Sequence, residues 1–165
     1  MRRIGQFLLV LVMATATLLP SAPASAASGG CSSVSGRAKY IVCVDVSSQR
    51  AWLRRVTSGV VGTTVIGPYT VTTSRYDSGV GDSLTRQGHF VAYNAMRYSI
   101  TGLEYFIRFY NGQGLHAYPN VGAGYDSHGC VRQTYWVARE LYRRLVTGSE
   151  GNLVAAGRVE VHIYP

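Results

Sequence analysis

Hydrophobic and polar residues alternate with a period of two over several short segments between residues 40 and 165. This period is typical of β-strands, because successive side chains of a strand point to opposite faces. Other segments are continuous runs rich in Val, Ile, Thr and Tyr, which also favour strands. The two patterns predict six strands: 40–46, 50–56, 63–73, 88–94, 104–110 and 158–164. The chain is therefore predicted to be mostly β.

One segment, 135–146, has a helical period instead. Apolar residues recur in it every four positions: Val137, Leu141 and Leu145. Such a stripe is typical of an amphipathic α-helix that packs on a core. Thr134 is a candidate N-cap and Gly148 a candidate C-terminal stop. Segments 75–88 and 111–127 are rich in Gly, Asp, Ser and Asn and are predicted as loops.

The N-terminus has the pattern of a secretory signal peptide. Arg2 and Arg3 precede a 13-residue apolar run, 7–19, and Ala26 ends a small-residue Ala-Ser-Ala stretch. The run is shorter than the roughly 20 residues that cross a bilayer, so a membrane anchor is the weaker alternative. We predict a signal peptide over 1–26, a flexible lead-in over 27–39 and one domain over 40–165, located outside the cytoplasm, in the cell wall or periplasm.

Composition excludes several classes of protein. Charged residues are 15% of the chain and hydrophobic residues 47%, which excludes a disordered polymer. The net charge is +8, and +6 without the two arginines of the leader. Nucleic-acid binding is not expected, because there is no basic run or reading helix and the chain is exported. The positive charge is either a solvated surface or an attraction to anionic cell-wall polymers.

The chain has three cysteines, so at least one thiol lies outside any internal disulfide. Exported thiols that lie close together tend to be oxidised. We expect a disulfide between Cys31 and Cys43, which leaves Cys130 reduced. Lipid attachment at Cys31 is a weaker alternative, because Ser28-Gly29-Gly30 lacks the leucine expected before a lipidated cysteine.

Reactive groups concentrate in residues 116–130, where His116 is followed by Ser-His-Gly-Cys ahead of the predicted helix. The N-terminus of the predicted helix would stabilise the thiolate form of Cys130. A nearby histidine can take the proton of the thiol. Backbone N–H groups at Gly129 and Cys130 can bind the oxyanion that forms during attack. The pattern favours a cysteine nucleophile over a buried structural thiol. His128 either takes part in catalysis or makes a structural hydrogen bond. A zinc site of His116, His128 and Cys130 is a minor alternative, because no second ligand spacing supports it.

The segment Ser127-His128-Gly129-Cys130-Val131-Arg132, preceded by His116, resembles the signature of L,D-transpeptidases, the YkuD catalytic domain. Segments 40–53, 84–90 and 158–164 also resemble parts of that family. The resemblance covers about residues 40–165. It implies a β-sandwich or barrel-like domain with one principal helix after the catalytic cysteine.

The resemblance also implies an exported cysteine acyltransferase that acts on peptidoglycan stem peptides, needs no cofactor or metal and is inhibited by carbapenems. The thiolate attacks the carbonyl of the third stem residue, expels the terminal D-Ala and passes the acyl group to an amine. By resemblance, Cys130 is the nucleophile, and His116 is the base, oriented by the carbonyl of Ala117. His128 and Gly129 form the pocket and the oxyanion site. The residues that bind substrate are Arg132, Ser127 and Tyr118. An L,D-carboxypeptidase and a catalytically silent peptidoglycan-binding module remain alternatives.

Overall fold

The computed structural model describes five segments of the chain, residues 36–74, 84–99, 101–122, 127–146 and 159–165, and two single residues, 31 and 34. The predicted signal peptide and most of the lead-in lie outside these residues. Among the described helices, none has the length and apolarity needed to cross a bilayer.

Nine strands and one helix make up the described domain. In chain order they are β1 (Tyr40–Asp45), β2 (Arg50–Thr57), β3 (Val60–Thr72), β4 (Gly88–Val91), β5 (Asn94–Tyr98), β6 (Glu104–Tyr110), β7 (Gln113–Ala117), β8 (Val131–Gln133), α1 (Tyr135–Leu145) and β9 (Val159–Tyr164). The strand order in the sheet is β4-β9-β1-β2-β3-β8-β7-β6-β5. Two neighbouring pairs are parallel, β1 with β9 and β7 with β8.

The sheet curls into a half-barrel. Between edge strands β4 and β5, the N–H of Ala92 donates to the carbonyl oxygen of Val159 at 2.9 Å, and the N–H of Tyr93 donates to that of Arg108 at 3.2 Å. These two bonds connect β9, near one edge of the sheet, with β6, near the other. The expected mostly β, barrel-like architecture with one principal helix is confirmed.

Each of the six predicted strands corresponds to a strand, but β5, β7 and β8 were not predicted. The loop prediction for 111–127 is wrong over β7, and the strand predicted over 88–94 stops at Val91. At three residues, β8 is too short to show a period. In β7, Gly114 has no side chain that could show a period, and a Cβ there would be 2.5 Å from the ring of Phe106.

Both faces of β1 are buried, which explains its continuous apolar run. Val42 and Val44 point into the main core, and Cys43 points into a smaller cluster on the opposite face. There Cys43 forms the expected disulfide with Cys31, with 5.7 Å between their Cα atoms. Cys130 carries the remaining thiol.

Helix α1 packs on β6 and β7 through the apolar stripe that the sequence predicts. Its buried residues are Val137, Ala138, Leu141 and Leu145. Thr134 occupies the N-cap position without a side-chain capping bond, and the helix ends at Leu145, one residue before the predicted end. The predicted stop, Gly148, lies outside the described residues.

Candidate active site

The pairing of β7 with β8 places the predicted catalytic residues on neighbouring strands. Because the strands are parallel and in register, His116 lies opposite Arg132. Cys130 directly precedes β8, and its thiol is hydrogen-bonded to the backbone of Gly114 on β7. Fourteen residues separate His116 from Cys130 along the chain, but the parallel pair places their backbones on adjacent strands.

The imidazole of His116 is nearly inaccessible to solvent and has a defined orientation. Its Nδ1 lies 2.8 Å from the carbonyl oxygen of Ala117, a contact that places the proton on Nδ1 and leaves Nε2 as the acceptor nitrogen. Burial lowers the pKa of His116 below its usual 6.5, the bond to Ala117 opposes this, and the charge of Arg132 lowers the pKa further. His116 is therefore neutral at neutral pH and can accept a proton.

Cys130 is half-buried and favours the thiol form. Burial raises its pKa above the usual 9.0, while the Gly114 backbone bond and the charge of Arg132 act in the opposite direction. The expected stabilisation by a helix N-terminus is absent here, because β8 and Thr134 separate Cys130 from α1 and the effect of a helix end falls off within about one turn. The shifts in pKa therefore favour a neutral thiol at Cys130 and a neutral imidazole at His116.

The turn before Cys130 depends on Gly129. Its φ of +104° lies in the region that favours glycine, and a Cβ there would be 2.5 Å from Nε2 of Gln113. The N–H of Gly129 donates to Oγ of the buried Ser127 at 3.3 Å, so in this structure it is directed at Ser127 and not at an oxyanion. The side chain of His128 is exposed.

Gln113 is a site residue that the sequence did not reveal. From the start of β7, its Nε2 donates to the carbonyl oxygen of Leu84 at 2.6 Å, and its Oε1 accepts from the N–H of Arg86 at 2.9 Å. The same buried amide packs against Gly129. Gln113 therefore connects the segment before β4 with the turn that precedes Cys130. It lies in the region 111–127, which sequence composition predicts only as a loop.

Arg132 and Tyr118 form a second layer beside His116. The guanidinium carbon of Arg132 lies 3.9 Å from the centroid of the Tyr118 ring, and Arg132 is 9% exposed. The Tyr118 ring meets the His116 ring edge-on, with centroids 6.2 Å apart. The cation therefore sits close enough to His116 and Cys130 to influence the pKa of both.

A cleft of about 400 Å³ opens beside these residues. Its walls are residues 102–104, residues 117–119 and Tyr135. Of the predicted substrate-binding residues, Tyr118 lines it, whereas Arg132 and Ser127 do not. A volume of this size suits a side chain or a short peptide segment.

The described residues contain no group of three His, Cys, Asp or Glu side chains arranged to hold a metal ion. His116, His128 and Cys130 all belong to the described part of the chain, so the minor zinc alternative is not supported.

Comparison with known proteins places this geometry in context. A family model, the YkuD L,D-transpeptidase catalytic domain, matches residues 39–161. A search of curated proteins gave no significant match.

Several of the similar solved structures are L,D-transpeptidases. One from Stackebrandtia nassauensis is 23% identical, with a TM-score of 0.53, and the match covers 77% of this chain and 56% of that protein. One from Mycobacterium tuberculosis is 15% identical, with a TM-score of 0.57 and coverage of 77% and 58%. A third, L,D-transpeptidase 3 from Mycobacterium tuberculosis with a faropenem-derived adduct, is 14% identical, with a TM-score of 0.55 and coverage of 77% and 60%. This chain thus spans less than two thirds of each of them.

Proposed function

Because the chain belongs to the YkuD family of L,D-transpeptidase catalytic domains, we propose that it is a peptidoglycan L,D-transpeptidase with Cys130 as nucleophile and His116 as general base. One observation carries the proposal: the parallel β7–β8 pair sets Cys130 beside the strand of His116, whose Nδ1 is bonded to the carbonyl of Ala117. That bond leaves Nε2 of the neutral imidazole to take the thiol proton.

In the first step, Sγ of Cys130 attacks the carbonyl carbon of the third residue of a tetrapeptide stem while its proton passes to Nε2 of His116. The C–N bond to the terminal D-Ala then breaks, and His116 returns the proton to the leaving nitrogen. The product is a thioester on Cys130 and free D-Ala.

In the second step, the nitrogen of a neutral amine attacks the thioester carbonyl carbon. The new C–N bond forms, the C–S bond breaks, and His116 transfers the proton lost by nitrogen to the sulfur of Cys130. Cross-linked peptide leaves and the thiol is regenerated.

The neighbouring residues support these two steps in different ways. Arg132 attracts a substrate carboxylate, because its buried cation lies beside the reacting pair. Tyr118 contributes a wall of the cleft. Gly129 permits the turn and close approach of the substrate carbonyl, and Ser127 supports that turn. His128, being exposed, is assigned to the rim of the pocket.

The proposal includes an extracytoplasmic location for the protein. Peptidoglycan lies outside the cytoplasmic membrane, residues 1–26 have the pattern of a signal peptide, and the Cys31–Cys43 disulfide suits an oxidising compartment. The excess of arginines favours association with anionic wall polymers. Carbapenems are the expected inhibitors, acylating Cys130.

Incubation of the purified protein with a tetrapeptide stem, with and without an amine acceptor, tests the reaction. Cross-linked product supports a transpeptidase, tripeptide alone indicates a carboxypeptidase, and the absence of D-Ala release indicates a binding module. Cys130→Ala abolishes D-Ala release and the mass shift expected with a carbapenem.

His116→Ala is expected to slow acylation by about 10²- to 10⁴-fold, because the thiol loses its base. His89→Ala is the matched control, since His89 is an exposed histidine on β4. D-Ala release at the wild-type rate in His116→Ala argues against the assigned base.

A further inference from the structure

We propose that the stacked imidazoles of His89 and His162 form an acid-sensitive release for edge strand β4: when both rings are protonated, β4 separates from β9 and the support of the cysteine turn is loosened. This histidine stack lies outside the reacting pair and is a regulatory feature beyond the proposed function. Only its effect on acylation rests on that function.

The two histidines of the stack lie directly opposite each other on the antiparallel strands β4 and β9. Their ring centroids are 3.5 Å apart and the ring planes differ by 21°. Two positive charges in such contact repel each other strongly, so the folded strand pair disfavours protonation of both rings. Because Nδ1 of His162 is buried without a hydrogen-bond partner, a proton there gains no acceptor that would offset the repulsion.

Other charges near the stack do not offset this repulsion among the described residues. The charged or titratable residues on this face of the sheet, or in the segment that packs on it, are Glu160, Tyr164, Asp45, Arg50, Arg54, Arg37 and Lys39. The groups that shift the pKa of His162 include His89 and none of these residues. Cys43, opposite His162 on β1, is in the disulfide and does not titrate.

The direction of the pH effect follows from the state of His162. Burial, and then the charge of His89, lower the pKa of His162 below its usual 6.5. In a released strand the ring regains its usual pKa and binds more protons in acid. The contact between β4 and β9 is therefore fully stable above about pH 6.5 and weakens as the pH falls below this value.

Strand β4 is suited to such a release because it is short and lies at an edge. It has four residues, and among the described strands its only neighbour in the sheet is β9. The backbone ladder between them holds β4 at neutral pH, with or without a histidine at position 89.

The segment before β4 connects the strand to the active site. The N–H of Arg86 donates to Oε1 of Gln113, and the amide of Gln113 packs against Gly129 in the turn before Cys130. Release of β4 removes the anchor of this segment on one side. We therefore expect slower acylation of Cys130 in acid than the titration of His116 alone produces.

Amide hydrogen exchange in the Cys130→Ala protein tests the release without any reaction. Between about pH 7.5 and about pH 5, protection of the β4 amides, corrected for intrinsic exchange, should fall about threefold to tenfold, while protection of β1 stays constant. His89→Phe keeps an aromatic ring that cannot be charged, so its β4 protection should not fall. His128→Phe is the matched control, because it also removes an exposed histidine but leaves the stack intact.

Two further measurements separate the stack from a merely structural contact. In an NMR titration, the pKa of His162 should rise toward 6.5 in His89→Phe, because the repelling neighbour is gone. In the Cys130 enzyme, His89→Phe should keep a larger share of its neutral-pH carbapenem acylation rate in acid than wild type, since His116 titrates in both proteins.

The inference is overturned when β4 protection in the parent does not depend on pH, or when it falls equally in His89→Phe. His162→Phe makes the reciprocal change and replaces His89→Phe if that variant does not fold. Acid-dependent release in a protein that carbapenems never acylate rejects the proposed function and retains the release. Release with identical acylation profiles in wild type and His89→Phe rejects the connection to the cysteine turn.

Discussion

At the scale of single residues, the electrostatics of the site favour a neutral starting pair. Burial shifts both groups toward their uncharged forms, lowering the pKa of His116 and raising that of Cys130. A preformed thiolate–imidazolium pair requires the opposite shifts. Proton transfer from sulfur to nitrogen should therefore accompany attack on the substrate.

The pH dependence of carbapenem acylation tests this state. Since the pKa of His116 is lowered, the acidic limb of the rate profile should lie below pH 6.5, the ordinary value for histidine, and the rate should not fall between there and pH 9.0. Ultraviolet titration of wild type against Cys130→Ala should show no thiolate at neutral pH. An acidic limb above 6.5, or a thiolate signal at neutral pH, contradicts the neutral pair.

Gly129→Ala tests the turn before the nucleophile. The new Cβ would collide with the side chain of Gln113, whose amide oxygen and nitrogen are both hydrogen-bonded. Alanine is also strained at the positive φ of this position. We expect loss of carbapenem acylation and lower stability in thermal unfolding.

Gly112→Ala is the control, because its φ is +85° but no atom lies within 4 Å of the added Cβ. It should lose roughly 1 kcal/mol and keep its activity. Equal behaviour of the two variants contradicts a role for the contact with Gln113.

At the scale of elements, the site depends on two short strands that sequence patterns did not predict. Parallel pairing of β7 and β8 places His116 and the residue before β8, Cys130, on adjacent strands although they are fourteen positions apart in the sequence. Long or strongly periodic elements were predictable: β1, β2, β6, β9 and α1 each bury a regular apolar face. The three strands that were not predicted, β5, β7 and β8, have too few residues, or too many small ones, for periodicity to identify them.

Gln113→Leu tests the connection between β7 and the segment before β4. The variant leaves the carbonyl of Leu84 and the N–H of Arg86 without their partner. Because both bonds are only part-buried, we expect a loss near the lower end of the roughly 1–3 kcal/mol range that applies to an unsatisfied buried group, about 1 kcal/mol. The measurement is urea unfolding, together with the acylation rate.

Gln87→Leu makes the same chemical change at an exposed position in the adjacent segment. It should alter stability by no more than about 0.5 kcal/mol. If the two variants are equally stable, the bonds of Gln113 do not hold the segment.

At the scale of the whole molecule, the disulfide joins Cys31, which lies ahead of β1, to the buried centre of that strand. Cys31 and Cys43 lie in the smaller hydrophobic cluster with Ile41 and Val56, on the opposite side of β1 from the main core. The bond therefore holds Cys31 against the sheet. It also removes two thiols from competition with Cys130.

Reduction of the disulfide tests its contribution to stability. Closing a loop of this size contributes about 2–3 kcal/mol through the entropy of the unfolded chain. Urea unfolding of the Cys130→Ala protein, with and without dithiothreitol, should differ by this amount. A Cys31→Ser, Cys43→Ala variant should not respond to the reductant. An unchanged midpoint on reduction of the parent contradicts the proposed contribution.

The amino-acid sequence by itself determined the β class, the helix and its buried face, and the disulfide partners, and it singled out Cys130 and His116 as the proposed nucleophile and base. These depend on local period, cysteine number and a short motif, all of which are readable along the chain. Only the tertiary structure decided the register of β7 against β8, the role of Gln113 and the stacking of His89 on His162. These features depend on contacts between residues that are distant in sequence. The same contacts bury His116 and Cys130, and this burial favours the neutral form of both side chains.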